Sequence, residues 1–332
     1  MTNSTQLNQP TLVSIDDGSS AIKVAYYDKN NKLQTFSFDS RVVEGHIVTG
    51  DEDTVNYTVD GKPYHVTKGS AHTIPTNTED YQVSVASRIL VHHALRKCGV
   101  VGSVNIVVTI PPAQFFTSTM GKNVERVSRK EENLLGAIKY LGSDPVVQIN
   151  EIHVLPESFA AFHRIARTNG LDVASSLCVD IGGFTTDIMR YDDDFNIVEA
   201  KSHAIGALDM LNAFKAEAEA KFDFAGGIPD SKVVTAFTTG KLGRKDPSQV
   251  AEIALKHRVE FQQKILGVLP SSNDLSLIDN VVFTGGAIHY LEKEFLAENE
   301  VVVSDNSQFD GVIGGLVMIQ KKIANAAKAG AK

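Results

Sequence analysis

Residues 176–193 read SLCVDIGGFTTDIMRYDD. An apolar run ends at Asp180, Gly182 and Gly183 follow as small turn residues, and Thr185 and Thr186 lead into a second apolar run that ends at Tyr191. Alone, the pattern describes a hairpin with small residues at its tip. It has an echo. VSIDDGSSAIKVAYYD (13–28) aligns with LCVDIGGFTTDIMRYD (177–192) at a constant offset of 164 residues, the difference between positions 177 and 13. Asp16 then falls on Asp180, Gly18 on Gly182, Ser19 on Gly183, Tyr27 on Tyr191 and Asp28 on Asp192. Two strand–turn–strand units in one register relative to an Asp predict two similar lobes facing one cleft.

The chemistry these turns suit is phosphate binding. Gly, Ser and Thr let backbone N–H groups come close to an anion, and the hydroxyls add donors. DDGSS (16–20) and GGFTT (182–186) both qualify. An Asp ending the preceding strand would sit just outside each turn, where Asp16 and Asp180 could hold Mg²⁺ through its waters, since Mg²⁺ keeps several waters and takes few carboxylates. Lys23 lies on the returning strand, with an ammonium suited to balancing phosphate charge. A third glycine element, LIDNVVFTGGAIHYLEKEF (277–295), runs an apolar strand into Thr284-Gly285-Gly286-Ala287 and then a helix-like stretch. Such a junction allows close approach of a flat base or ribose, and it equally describes a tight strand–helix turn. Neither a G-x-x-x-x-G-K-[ST] nor a G-x-G-x-x-G motif is present.

The rest of the chain bounds the reading. At 332 residues, two domains are expected. With 42% hydrophobic and 22% charged residues the composition is that of a globular protein, and no apolar run approaches the length of a membrane span. The net charge of −8 argues against direct coating of nucleic acid, and two cysteines, Cys98 and Cys178, suit a reducing cytoplasm. Residues 1–10 read as a disordered leader. Strand-like runs at 11–16, 22–27, 33–38, 55–59, 104–110, 177–181, 186–191 and 280–284 alternate with helical patterns at 81–97, 207–222 and 248–268, which is an α/β pattern with mixed sheets. Polar segments at 39–54 and 223–247 read as loops or insertions, and the tail KKIANAAKAGAK as a helix that frays. RVSRKEEN (126–133) reads as an exposed mixed-sign helix. The adjacent His92 and His93 diverge on a helix and read as packing and surface residues.

Taken in order, IDDGSSAIK, VLPESFAAF, VDIGGFTTDI, VVFTGGAIH and FDGVIGGLVM resemble the first phosphate loop, first connecting helix, second phosphate loop, adenosine loop and second connecting helix of the actin/Hsp70/sugar-kinase superfamily. The likeness spans about residues 11–320. VHHALRKCGV (91–100), VVTIPPAQFF (107–116), NVERVSRK (123–130) and VLPESFAAF point more narrowly to bacterial plasmid-segregation actins of the ParM/StbA type.

The resemblance implies an α/β, two-lobed actin-like (ribonuclease-H-like) ATPase fold, with mixed five-stranded sheets flanked by helices and a cleft between the lobes. It implies lobe I over 11–170 and 305–332, with an inserted subdomain near 35–85, and lobe II over 171–304, with one near 208–262. Asp16 and Asp180 fall at the Mg²⁺ waters. Asp17, Gly18, Ser19, Ser20 and Lys23 fall at the β- and γ-phosphates, opposite Gly182, Gly183, Phe184 and Thr185. Gly285, Gly286 and Ala287 meet the adenosine. On the helix at 256–268, Glu260, Gln263 and Lys264 share one face, a pattern that suits contact with base or ribose and equally a salt-bridged surface. Glu157 takes the water-activating position, although Pro156 and Glu157 also suit a helix's first turn. Two departures stand out: Phe184 where relatives carry Gly or Thr, and Thr284 in place of a frequent glycine.

The function so implied is a cytoplasmic ATPase, with GTP as the alternative nucleotide, that polymerises head-to-tail and hydrolyses its nucleotide to destabilise the filament. It would move plasmid DNA indirectly, through a DNA-binding adaptor at a filament end, without a membrane. The rival readings are a small-molecule kinase of the same superfamily and a nucleotide-dependent scaffold.

Overall fold

The computed structural model describes residues 11–48, 54–68, 73–142 and 147–330. The leader read over 1–10, residues 49–53 of the polar segment and the last two residues of the tail lie outside the described residues. The chain divides into two compact units, Met1–Gly170 with Gln308–Lys332 as unit 1 and Leu171–Ser307 as unit 2.

Unit 1 opens with a meander of β1 (Leu12–Asp17), β2 (Ala21–Tyr27) and β3 (Leu33–Asp39). β4 (Val42–Glu44), β5 (Val55–Val59) and β6 (Lys62–Val66) follow, then α1 (Val85–Lys97), β7 (Gly102–Ile110), α2 (Pro112–Phe115), α3 (Val124–Leu135), β8 (Lys139–Tyr140), β9 (Val147–Pro156) and α4 (Phe159–Asn169). The main sheet runs β3-β2-β1-β7-β9, antiparallel within the meander and parallel from β1 through β7 to β9. A smaller sheet, β4-β6-β5-β8, draws three strands from the polar region after β3 and one from beyond α3. The alternation of β1 explains its burial on both faces. Val13 and Ile15 join the core that includes Ile89, Leu90 and Leu95 of α1, while Leu12 joins Val312, Leu316 and Ile319 on the opposite face.

Unit 2 repeats this plan with β10 (Ser176–Ile181), β11 (Thr186–Tyr191), β12 (Ile197–His203), α5 (Ala207–Phe222), α6 (Asp230–Thr239), α7 (Pro247–Leu266), α8 (Ser272–Leu275), β13 (Asn280–Thr284), α9 (Lys293–Glu298) and β14 (Val302–Val303). The sheet order is β12-β11-β10-β13-β14, again an antiparallel meander followed by two parallel strands. Asp16 pairs across its hairpin with Lys23 and Asp180 with Asp187, so the offset of 164 residues holds in the strand register (180 − 16 and 187 − 23). The last helix, α10 (Asp310–Gly330), belongs to unit 1 and packs on α4. A Cβ at Gly314 would overlap the Ala160 carbonyl, so the glycine is what lets the two helix backbones meet.

Several expectations need correction. The segment 39–54 contains β4, and 223–247 contains α6, whose Val233, Ala236 and Phe237 are buried at helical spacing. Tertiary burial here overrides the weak helix propensity of a Thr- and Val-rich run. Residues 81–97 are a short 3₁₀ turn over Tyr81–Val83 followed by α1, because the Ser84 side chain caps the Ser87 N–H at 3.3 Å. After Ala287 comes a 3₁₀ turn over Ile288–Tyr290, not a continuous helix. His92 and His93 are both buried, His92 donating to the Leu134 carbonyl at 3.1 Å and His93 paired with the Tyr57 hydroxyl at 2.9 Å. Among the described residues no helix is long and apolar enough to cross a membrane.

Candidate functional site

The first turn, Gly18–Ser20, is held by its carbonyls. Ser40 Oγ donates to the Gly18 carbonyl at 2.6 Å, Thr76 Oγ1 to that of Ser19 at 2.5 Å and the Ser40 N–H to that of Ser20 at 3.1 Å. Tyr81 adds its hydroxyl to the Gly18 carbonyl at 3.4 Å, and burial keeps that phenol protonated by raising its pKa well above the ordinary value. In a planar trans peptide the C=O and the next N–H point in opposite directions. Pinning the Gly18 and Ser19 carbonyls therefore turns the Ser19 and Ser20 N–H groups the other way, which is the arrangement an anion needs.

Behind the turn lies a buried polar cluster. Asp16 accepts from Thr109 Oγ1 at 2.9 Å and from Lys23 Nζ at 2.8 Å, with the Asp16 and Lys23 side chains 17% and 19% exposed. Asp17 points inward: its carboxylate meets Lys130 Nζ at 2.8 and 2.7 Å and Ser87 Oγ at 2.8 Å, with no exposed surface on either charged side chain. Burial pushes the Asp17 carboxyl up and the Lys130 ammonium down, while their mutual attraction opposes both shifts. The Asp17 carboxylate, expected at the phosphates, is therefore turned into the core and held there by Lys130 and Ser87. Lys130 also donates to the Thr109 carbonyl at 2.8 Å and to Gln82 Oε1.

Helix α3, read as exposed, buries Arg126, Lys130 and Asn133. Their spacing of four and three residues, with Val127 and Leu134 alongside, places them on one face, and each charged group finds partners there. That periodicity is the signal that could have found Lys130 within the charged run. Ser40, Thr76 and Thr109 carried no comparable signal.

Glu157 sits between β9 and α4, with its N–H donating to the Ile110 carbonyl at 2.8 Å. The helix begins at Phe159, after Ser158 in a left-handed conformation at φ 68°, so Glu157 is not a first-turn residue. A non-glycine residue at positive φ costs of order 1–3 kcal/mol, and such strain clusters at functional junctions.

The second turn reaches the same backbone geometry by other means. The N–H groups of Ala207 and Leu208, at the start of α5, donate to the Gly182 and Gly183 carbonyls at 3.1 and 2.9 Å. This turns the Gly183 and Phe184 N–H groups away from the helix. A Cβ on Gly206 would overlap the Gly183 carbonyl, so glycine is required for the helix to dock. Thr185 closes the turn by accepting the Gly182 N–H at 2.8 Å, and the Phe184 ring is half-buried.

Gly285 has φ +100°, and a Cβ there would overlap Asp180 Oδ1 and the Ile181 carbonyl, while the Ala287 N–H donates to that carbonyl at 3.0 Å. Asp180, Gly285, Gly286 and Ala287 are thereby neighbours in unit 2. Thr284, the departure from glycine, is buried with its hydroxyl donating to the Ser307 carbonyl at 3.3 Å. Glu260 and Lys264 on α7, with Asp209 on α5 and His257, line a pocket of about 60 Å³ beside Gly206. Among the described residues there is no group of three or more His, Cys, Asp or Glu that could hold a metal by direct ligation.

Residues 11–168 match the protein family described as "Plasmid segregation protein ParM, N-terminal". The sequence matches no curated protein at a significant level. Among solved structures, the chain is similar to an archaeal actin homologue (TM-score 0.76, 16% identity, 94% of this chain and 99% of that one) and to the same homologue in complex with ADP (TM-score 0.71, 16% identity, 94% and 99%). It is also similar to the subunit of a 15-stranded ParM filament from Clostridium botulinum (TM-score 0.68, 16% identity, 95% and 100%). These similarities identify the fold as actin-like.

Proposed function

We propose that this chain, whose residues 11–168 belong to the ParM N-terminal family and whose fold is actin-like throughout, is a filament-forming ATPase of plasmid segregation. The observation that carries the reading is the pair of equivalent turns whose carbonyls are pinned and whose N–H groups are turned outward. In this reading Gly18, Ser19, Ser20 and Lys23 hold the β- and γ-phosphates of ATP together with Gly182, Gly183, Phe184 N–H and Thr185. Gly285, Gly286 and Ala287 take the adenosine, and Glu260 and Lys264 reach the base or ribose.

Asp16 and Asp180 hold the waters of Mg²⁺, which when bound neutralises phosphate charge. The donor set fits: Thr109 and Lys23 fix the orientation of the Asp16 carboxylate, and Gly285 leaves room beside that of Asp180. Glu157, set at the end of β9 by the Ile110 carbonyl, orients or deprotonates the attacking water.

Self-assembly follows the filament-forming ParM relative: a head-to-tail contact between different surfaces generates an open polymer when its rotation closes no ring. Hydrolysis then loosens those contacts, and a DNA-binding adaptor at a filament end carries the plasmid. Light scattering with Mg-ATP over a broad protein range tests assembly, and the absence of polymer at every concentration refutes it. Glu157→Ala is expected to assemble while releasing phosphate at least ~100-fold more slowly. Unchanged release removes Glu157 from the catalytic role.

A further inference from the structure

A buried ion pair is a weak source of stability, because desolvating both charges offsets their attraction, and an uncharged pair of similar volume serves as well. Asp17 and Lys130 are therefore informative for where their other hydrogen bonds go. Lys130 Nζ reaches the Thr109 carbonyl at 2.8 Å, and the Thr109 hydroxyl is one of the two donors, with Lys23, that fix Asp16. It also reaches Gln82, whose side-chain amide donates to the Asp17 carbonyl at 3.4 Å; the adjacent Tyr81 contacts the Gly18 carbonyl. One ammonium thus joins the ends of β1 and β7 to the 3₁₀ turn behind Gly18–Ser20. Its own helix is anchored independently, by Arg126 to Gln114 at 2.7 and 2.9 Å and to Asp80 at 3.2 Å, and by Asn133 to the Ser84 carbonyl at 2.9 Å.

We propose that Lys130 is a positioning residue for the phosphate site of unit 1, holding the Asp16 carboxylate and the Ser19 amide in place and tying them to α3. The proposal deepens the ATPase reading and rests on it for the role of the groups positioned. Lys130 itself touches no nucleotide.

Lys130→Met alone leaves Asp17 buried with Ser87 as its remaining side-chain donor, so the decisive variant is the uncharged pair Asp17→Asn with Lys130→Met. Its melting temperature is expected to stay close to that of the parent. Amide exchange, followed by mass spectrometry without nucleotide, is expected to speed up about tenfold in the peptide covering 16–23 and to stay unchanged in that covering 180–187. Mg-ATP turnover is expected to fall at least about tenfold in kcat, with a smaller change in KM. A stable double variant with parental exchange over 16–23 and parental kcat overturns the proposal and leaves the pair a core contact.

Gln82→Leu keeps the charges and removes one prop. It is expected to speed exchange in the same peptide by a smaller factor, about threefold, and no change there also counts against the proposal. If the parent itself turns over no ATP, the ATPase reading falls, while the exchange measurement still decides whether Lys130 holds the turn.

Discussion

The two hairpins share a backbone and differ in what holds it. In unit 1 the turn carbonyls are pinned by the side chains of Ser40 and Thr76, and the strand behind pairs Asp16 with Lys23. In unit 2 the same carbonyls are pinned by backbone N–H groups at the start of α5, and Asp180 stands opposite Asp187 instead of a lysine. The N–H groups of the two turns point the same way relative to their hairpins, while the groups that set that direction differ. One turn should therefore be sensitive to the loss of hydroxyls, and the other to the gain of a single methyl group.

Replacing Asp16 or Asp180 by alanine should lower Mg-ATP turnover at least ~100-fold, because a preorganised group at developing charge is commonly worth that much. An Asp180→Ala protein with turnover near the parent would break the equivalence of the two hairpins. Gly206→Ala places a Cβ against backbone that cannot swing aside, so it should cost about 1–3 kcal/mol in denaturant unfolding, with Gly285→Ala at least as costly for its positive φ as well. A cost under about 0.5 kcal/mol for Gly206→Ala, ordinary for a surface substitution, would mean that α5 does not fix the turn. Thr76→Val should lose about 1 kcal/mol, the worth of one hydrogen bond, and should weaken nucleotide binding; unaltered binding would exclude Thr76 from holding the turn.

The smallest expected effect concerns pH and separates the hairpins from the core around them. Burial lowers the pKa of His92, His163 and His289 from the ordinary 6.5. As pH falls through that value, the unfolded chain takes up protons that the folded chain refuses, so stability should decline on acidification. His92→Gln, which can still donate toward the Leu134 carbonyl, should flatten the pH dependence of the melting temperature. An unchanged slope would show that His92 does not contribute to it.

What the sequence disclosed follows from how locally each feature is encoded. The hairpins were legible because an apolar strand, an Asp and a small-residue turn lie within sixteen residues and occur twice. The strand β9 was missed because Gln148, Asn150, Glu151 and His153 break its apolar pattern. The anchors of the first turn come from 22 and 57 residues away in Ser40 and Thr76, and no local pattern announces a hydroxyl that will meet a carbonyl. Lys130 was masked by RVSRKEEN, where charge suggested solvent and the face formed by Arg126, Lys130 and Asn133 pointed inward. Phe184 keeps its backbone geometry, and nothing in the structure explains why the ring is large.

Under the proposed function, the turn of unit 1 and the turn of unit 2 hold the same nucleotide. Titration of Mg-ADP into isotope-labelled protein, followed through the backbone amide resonances of Ser19, Ser20, Gly183 and Phe184, tests it most directly. All four are expected to shift together with a single dissociation constant. Movement of the amides of one turn while those of the other stay fixed at saturation would contradict it.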